Sequence, residues 1–328
     1  MTTFLLGAAI VMAFVAAFVA VHAVFIAPRQ LSVSEHEVAI PDLGAAFEGY
    51  TIAVFTDIHQ PPTRGTGQLR RAIDVASAAG PDLVALVGDY AASFSRSRAI
   101  SHRFYRSGMA SSGPLLAAIR ARDGVVAVLG NHDYYHDGPD VARWLRGLGL
   151  TVLMSESIEI ERDGDRLVIG GTDDYEEGTV EAEAGCAGRP DAPTIVLAHN
   201  PDTLLAFTSG RRIDLVLSGH THGGQIVIPL YGAPMTLSEV CTRRHPAGWV
   251  PNARAPLLVS RGLGGDIPLR FNCSPELLIV RLVRGDRPPR LVRQWTPERE
   301  DGWRARLERA RRRVSARGAD AAGAQQPA

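Results

Sequence analysis

Lysine is missing from this chain: all 35 basic residues are arginines, balanced by 35 acidic ones to a formal net charge of zero. That neutrality excludes the broad basic surface of a dedicated nucleic-acid binder and leaves room only for a local patch. Cysteine is nearly absent too. Cys186, Cys241 and Cys273 are odd in number and form no CxxC pair, which excludes a disulfide framework and a thiolate zinc site. No repeat runs through the sequence. What is present is ample core material, 45% apolar over 328 residues, enough for one large domain or two modest ones.

Charge is also missing from the start of the chain, and there the absence is informative. From Thr2 to Ala27 there is no Asp, Glu, Lys or Arg, His22 being the only ionisable side chain, and the run is long enough to cross about 30 Å of hydrocarbon. A buried soluble helix seldom stays apolar on every face for that length. A cleaved signal peptide is the rival reading. It lacks a basic leading region, and only Val21-His22-Ala23 approaches a cleavage site. The expectation is therefore a single-pass membrane anchor over residues 1–28. Arg29, the only basic residue nearby, favours the cytoplasmic face for the rest of the chain.

After Pro28, apolar runs of strand length occur at 52–56, 83–87, 125–129, 167–170, 194–198 and 215–217. Helical patterns lie between several of them, at 67–79, 114–122 and 139–148. This alternation predicts an α/β body. Further strand-like runs at 225–229, 256–260 and 276–282 shift the later part toward β structure. The body is expected over 29–296. From 297 the sequence becomes an arginine-crowded helical stretch and a tail of small polar residues, expected to be disordered.

Chemistry-bearing residues sit just past the strands. The first strand runs into Thr56-Asp57-Ile58-His59, the second into Gly88-Asp89 and the third into Gly130-Asn131-His132-Asp133. The fifth runs into His199-Asn200 and the sixth into Gly219-His220-Thr221-His222. Residues just past the carboxyl ends of strands in an open α/β sheet gather in one crevice. A single Asp or His in such a place is more often a turn or cap residue. Five strands each delivering a ligand type reverse that judgement. Imidazole, carboxylate and amide oxygen without thiolate suit manganese, iron, zinc or a related divalent ion.

The order D-x-H, GD, GNHD, H, GHTH resembles the calcineurin-like metallophosphoesterase superfamily. Within it the chain is most similar to the membrane-associated bacterial branch, the YkuE-like phosphoesterases and the related UDP-2,3-diacylglucosamine pyrophosphatases. The branch-level signs are LGNHDYY at 129–135, GGTDD at 170–174, AHNPD at 198–202, GHTHGGQ at 219–225 and SRGLG at 260–264. The likeness spans about residues 48 to 283.

The resemblance implies a four-layer α/β sandwich of two stacked mixed sheets flanked by helices. It also implies two divalent metal ions. Asp57, His59, Asp89 and His222 would hold one, and Asp89 as a bridge with Asn131, His199 and His220 the other. His132 would face the substrate phosphate as a catalytic group, with Asp133 orienting it through the second ring N–H. The implied activity is hydrolysis of a phosphodiester or pyrophosphate bond, and the anchor favours a lipid-linked or membrane-proximal substrate. A broad-specificity phosphodiesterase acting on small or nucleotide substrates is the alternative. A non-catalytic metal-binding scaffold is the alternative of another class, disfavoured because no ligand is lost.

Other residues admit two readings each. Asp173 and Asp174 line the pocket or form a turn, and Asn200 and Asp202 are expected to cap the next helix. Arg261 and Arg270 flank a glycine-rich run, as a phosphate clamp or as surface ion pairs. The segment 93–113, with Arg96, Arg98, His102, Arg103, Tyr105 and Arg106, is a substrate-facing element or a solvated insertion.

Overall fold

The computed structural model describes residues 2–61, 65–92, 98–179, 192–207, 212–251, 253–265, 267–297 and 302–303. The arginine-rich stretch from Arg304 onward, Arg96 and Cys186 lie outside them. The chain opens with α1 (Thr2–Val21), continued by tight helical turns to Arg29. Its large apolar side chains, Phe4 to Phe25 among them, are exposed. The whole run Phe4–Arg29 is apolar enough to cross a membrane.

Two sheets make up the body. The first has seven strands, ordered β13 (Arg290–Trp295), β1 (Ser32–Ile40), β12 (Glu276–Arg284), β2 (Thr51–Phe55), β3 (Leu83–Val87), β4 (Val125–Val128) and β5 (Thr151–Val152). The second has six, ordered β10 (Gly248–Trp249), β11 (Leu257–Val259), β9 (Leu215–Ser218), β8 (Thr194–Leu197), β7 (Asp165–Gly171) and β6 (Glu156–Arg162). Strands β2 to β5 run parallel, as do β7, β8, β9 and β11. Antiparallel partners β12 and β13 in one sheet, and β6 and β10 in the other, make both mixed.

The period of two residues along a strand explains the stacking. In β2, Ile52 and Val54 face the second sheet and join Leu83, Val87, Leu197, Leu215, Leu217 and Leu258 in one cluster. Ala53 and Phe55 face the other way, into a cluster with Leu69, Val75, Leu116 and Leu145. All five residues of β2 are buried, so a polar side chain on either face would lose solvation, and the run reads as unbroken apolar. Each buried Ile, Leu or Val stabilises the fold by roughly 1.5–3 kcal/mol relative to exposure.

Helices cover the outer face of the first sheet. In α2 (Gly67–Ala79) the buried residues Leu69, Ala72, Val75 and Ala76 form one stripe. The helix ends at Gly80, whose φ of 64° is the left-handed cap conformation that glycine adopts without strain. The short α4 (Asn131–His136) leads into α5 (Gly138–Gly147), capped by the Asp137 carboxylate accepting the Asp140 N–H at 3.0 Å. The outer face of the second sheet carries the turn Pro201–Leu205 and the loop leading to Val250, which bury Leu204, Phe207, Cys241 and Val250.

The remaining helix differs from expectation. The sequence predicts a helix over 114–122, but α3 spans Arg98–Leu116, with Pro114 inside it. Gly108 lets this helix lie close, because a Cβ there would overlap the Gln60 carbonyl and the Ala91 side chain. The expected strand at 225–229 is reduced to isolated bridges, Ile226 with Phe271 and Ile228 with Gly232.

Candidate metal centre

The carboxyl ends of β2, β3, β4, β8 and β9 meet at one edge of the two stacked sheets, and all seven expected ligands stand there. Asp57, His59, Asp89, Asn131, His199 and His220 are buried, and the His222 side chain is nearly so. Candidate ligand atoms of Asp57, His59 and His222 lie within 4.8 Å of one another, as do those of Asp57, Asp89 and His199, and those of His59, Asp89 and His132. Asp57, His59 and Asp89 each belong to two of these groups, and the groups interlock into one centre.

The backbone is unusual at the same residues. Asp57, His59, Asp89, His220 and His222 have φ of 49°, 40°, 59°, 67° and 51°. Non-glycine residues adopt this left-handed region rarely, at a cost of order 1–3 kcal/mol each. Five such residues in one crevice mean that surrounding structure holds the side chains inward against their local preference. Glycines make the approach possible. A Cβ on Gly219 would overlap the Asp57 carboxylate, and one on Gly130 would overlap both Asp89 and His199.

Asp89 is the focus of the geometry. Its Oδ1 accepts the His132 backbone N–H at 3.0 Å. Its Oδ2 lies 3.3 Å from Nε2 of His59 and 3.3 Å from Nε2 of His199. His199 Nδ1 lies 2.9 Å from the Val87 carbonyl, which can only accept, so Nδ1 carries the proton. Nε2 then points a lone pair at a carboxylate oxygen unless a proton or a cation lies between. The same logic holds for His220. Its Nε2 donates to the Leu237 carbonyl at 3.1 Å, and its Nδ1 faces Asn131 Oδ1 at 3.3 Å. The donor set and these two acceptor pairs fit divalent ions.

Charge matches the geometry. Burial pushes the Asp89 carboxyl up, but His199 and His132 outweigh it and hold the group well below the usual range. Burial lowers the His199 imidazole while Asp89 and Asp57 raise it well above its ordinary value. His222 goes the other way, kept neutral by burial, by neighbouring His59 and by the Arg270 guanidinium. Neutral imidazole is the form that binds metal.

Asp133 is a correction. Its carboxylate does not turn toward the His132 ring. It accepts the backbone N–H groups of Gly130, Asp89 and Tyr90 at 2.8, 3.0 and 3.1 Å, and the Tyr105 hydroxyl. Within the turn that opens α4, the ring of residue 132 and the carboxylate of 133 leave in different directions. The carboxylate reaches back to β3 and pins the loop that carries Asp89. Burial, and then Asp89, push its pKa up to about 6, against the hydrogen bonds that favour the ionised form.

The two arginines have different partners. Arg270 is buried, and its guanidinium donates to the carbonyls of His222 and Arg261 at 2.9 and 2.8 Å, and to that of Gly264. It fixes the backbone under a candidate ligand and is no surface group. Arg261 pairs with Glu276 at 2.8 Å. Both guanidiniums are thus engaged by partners within the protein, Arg261 in the ion pair that the sequence reading allowed. Asp173 and Asp174 form the turn: Asp174 accepts the N–H groups of Glu176 and Glu177 at 3.0 and 2.9 Å, and Asp173 that of Thr179 at 2.9 Å. Asn200 caps as expected, accepting the Asp202 N–H at 2.9 Å. Asp202 instead holds the loop at 239–240 through two backbone N–H bonds at 2.8 and 3.0 Å.

Two contributions could not be assigned from the sequence. Tyr105 is fully buried, with burial and Asp133 keeping its hydroxyl protonated, and its ring stacks on His136 at 4.5 Å. Residues 98–113 of the 93–113 segment, all in α3, therefore brace the site from behind, while Arg103 and Arg106 stay on the exposed side of the helix. Glu176, 3.5 Å from His220 Nε2, comes from a loop with no distinguishing pattern.

With this geometry in hand, comparison with known proteins is decisive about class. The calcineurin-like phosphoesterase family matches residues 50–224. The chain belongs to that family and is a metal-dependent phosphoesterase. It is 28% identical over 266 residues to the uncharacterized metallophosphoesterase YkuE of Bacillus subtilis (strain 168), covering 80% of this chain and 88% of that one. It is 29% identical to the phosphodiesterase YaeI of Escherichia coli (strain K12), covering 71% of this chain and 82% of that one. A transmembrane protein with a metallophosphoesterase domain from Danio rerio is 30% identical, over 65% of this chain and 49% of its own length.

Proposed function

We propose that the crevice holds two divalent ions and hydrolyses a phosphodiester or pyrophosphate bond in a lipid-linked or membrane-proximal substrate. The observation that carries this reading is Asp89 Oδ2, which stands 3.3 Å from Nε2 of both His59 and His199. One carboxylate oxygen facing two imidazoles from two different sheets is the position of a bridge. With Asp89, Asp57, His59 and His222 would hold one ion, and Asn131, His199 and His220 would hold the other. Manganese, zinc or iron suits that donor set.

Such ions, when bound, lower the pKa of water and neutralise phosphoryl oxygens. The remaining work falls to the protein. Asp89 is oriented by the His132 N–H on one oxygen, which turns the other toward the His59 and His199 imidazoles. The His132 ring packs edge-on to His59 at 4.7 Å, between the ligand cluster and solvent. From there it can protonate, or stabilise charge on, the leaving oxygen. Asp133 and Tyr105 keep the Asp89 loop from relaxing. The relative named a phosphodiesterase supports the diester, and the apolar N-terminal run supports a substrate at the membrane. That run, residues 1–28, serves as anchor for a catalytic unit over 29–296.

Manganese-loaded protein should be assayed on a nitrophenyl phosphodiester, the matching monoester and a UDP-linked lipid. Turnover that needs metal and prefers the lipid is expected. Equal rates on every diester would remove the lipid part of the proposal. Bound metal with no turnover of any phosphate ester would remove the whole.

A further inference from the structure

One face beside the crevice is apolar without being packed. Between Gln225 and Ser238 the loop exposes Ile228, Leu230, Tyr231, Met235 and Leu237, with Leu230 wholly exposed, and Ile267 next to it is 64% exposed. Surface leucines scattered singly need no explanation, but a contiguous group does. Three observations say what covers it.

The loop is joined to the end of the apolar N-terminal run. Val227 N–H donates to the Phe271 carbonyl at 2.9 Å, and the neighbouring Arg270 N–H donates to the Ala23 carbonyl at 2.9 Å. The Gln225 side chain donates to the Ile267 carbonyl at 3.2 Å. The loop is also a wall of the crevice, because the Leu237 carbonyl receives His220 Nε2. Its flank is cationic and aromatic: Arg243 lies 4.8 Å over the Tyr231 ring, and Arg244 beside it is exposed. Leucine, methionine and isoleucine edged by tyrosine and arginine is the chemistry of a surface seated in an anionic leaflet.

We infer that the 228–237 loop, together with Ile267, is a docking rim that inserts into the acyl–headgroup boundary of the bilayer holding the N-terminal helix. The rim seats the mouth of the crevice on that membrane, so the phosphoester it receives belongs to a lipid headgroup. This deepens the membrane-anchor reading and rests on it.

The full chain, with Cys186→Ser, should be placed in nanodiscs of mixed phosphatidylcholine and phosphatidylglycerol. Nitroxide labels go on Met12→Cys, Leu230→Cys and Met235→Cys in turn, with Asp163→Cys at an exposed turn as the aqueous reference. Collision with oxygen and with a water-soluble nickel chelate then reports depth. High oxygen and low nickel accessibility at 12, 230 and 235 is the expected result. Lipid accessibility at 12 with aqueous accessibility at 230 and 235 overturns the rim and spares the anchor. Aqueous accessibility at 12 overturns both. Low accessibility to both reagents at 230 marks a protein contact, such as a second copy, and overturns the rim. The same discs carrying phosphatidyl-nitrophenol give the functional arm. Leu230→Glu with Met235→Glu should lower kcat/KM on that lipid at least tenfold and leave a soluble nitrophenyl diester within twofold. Equal losses on both probes would overturn the proposal.

Discussion

The interior between the two sheets and the crevice at their edge are made from the same strands and the turns that follow them, two or three residues apart. In β2, Ile52 and Val54 sit in the apolar interior, and Asp57 begins the crevice. In β9, Leu215 and Leu217 do the first job, and His220 and His222 just past its end the second. Both regions are buried, yet their physics is opposed. The interior is stabilised by contact area and tolerates any apolar group of the right volume. The crevice gathers two carboxylates and several imidazoles out of water and bends five backbones into a disfavoured region. Hydrogen bonds accepted by Asp133 and donated by Arg270 hold the backbone that carries these groups, and the proposed cations would offset the rest of the cost. Stability and chemistry are thus separable along a single strand, and mutations on either side of the boundary test the separation.

The largest effect is expected at the bridge. Asp89→Asn keeps the shape and removes the charge that both histidines face, so kcat should fall about 10³-fold while the far-ultraviolet circular dichroism stays that of the wild type. Loss of the folded signal would mean that Asp89 is structural first. On the interior side, Ile52→Ala should lower unfolding free energy by about 3 kcal/mol, read by urea denaturation, with kcat per folded molecule within twofold. A matching fall in kcat would show that the two regions are coupled.

The brace behind the crevice comes next. Tyr105→Phe removes the hydroxyl that Asp133 accepts and should weaken metal binding by roughly 10-fold, measured by calorimetric titration. The unchanged affinity of a passive packing residue would contradict the bracing role.

The smallest effect separates a buried histidine outside the crevice from those within it. Burial lowers the pKa of His36, opposed by Glu276 and assisted by Arg261, and its ring lies edge-on to Trp249 at 5.6 Å. A group depressed in the fold contributes stability that is present above its unfolded value, near 6.5, and lost as pH falls. His36→Gln should therefore flatten the decline in stability below about pH 6.5. An unchanged slope would place that decline on other groups.

The sequence told these two regions apart unevenly. The crevice was legible because chemistry needs particular residue types, and five strand ends each supplied one. The central strands were legible because burial on both faces leaves an unbroken apolar run, as in β3. What escaped depends on tertiary contacts. Strand β1 carries four polar residues in a row, Ser34 to Glu37, and β13 has arginines as an edge strand does, so neither stands out as an apolar run. Helix α3 passes through Gly108 and Pro114, which local preference assigns to a break, and only the close approach to Gln60 and Ala91 explains the glycine. The directions of Asp133 and Arg270 were invisible for the same reason. Spacing places a residue at a site, but the side chain's aim is set by partners distant in the chain.

The central claim is a pair of ions bridged by Asp89, and counting metal per chain tests it most directly. Protein loaded with manganese and freed of excess should carry two ions per chain by elemental mass spectrometry, falling to one or fewer in Asp89→Asn. A single ion in the active wild type, or two ions retained in the variant, would contradict it.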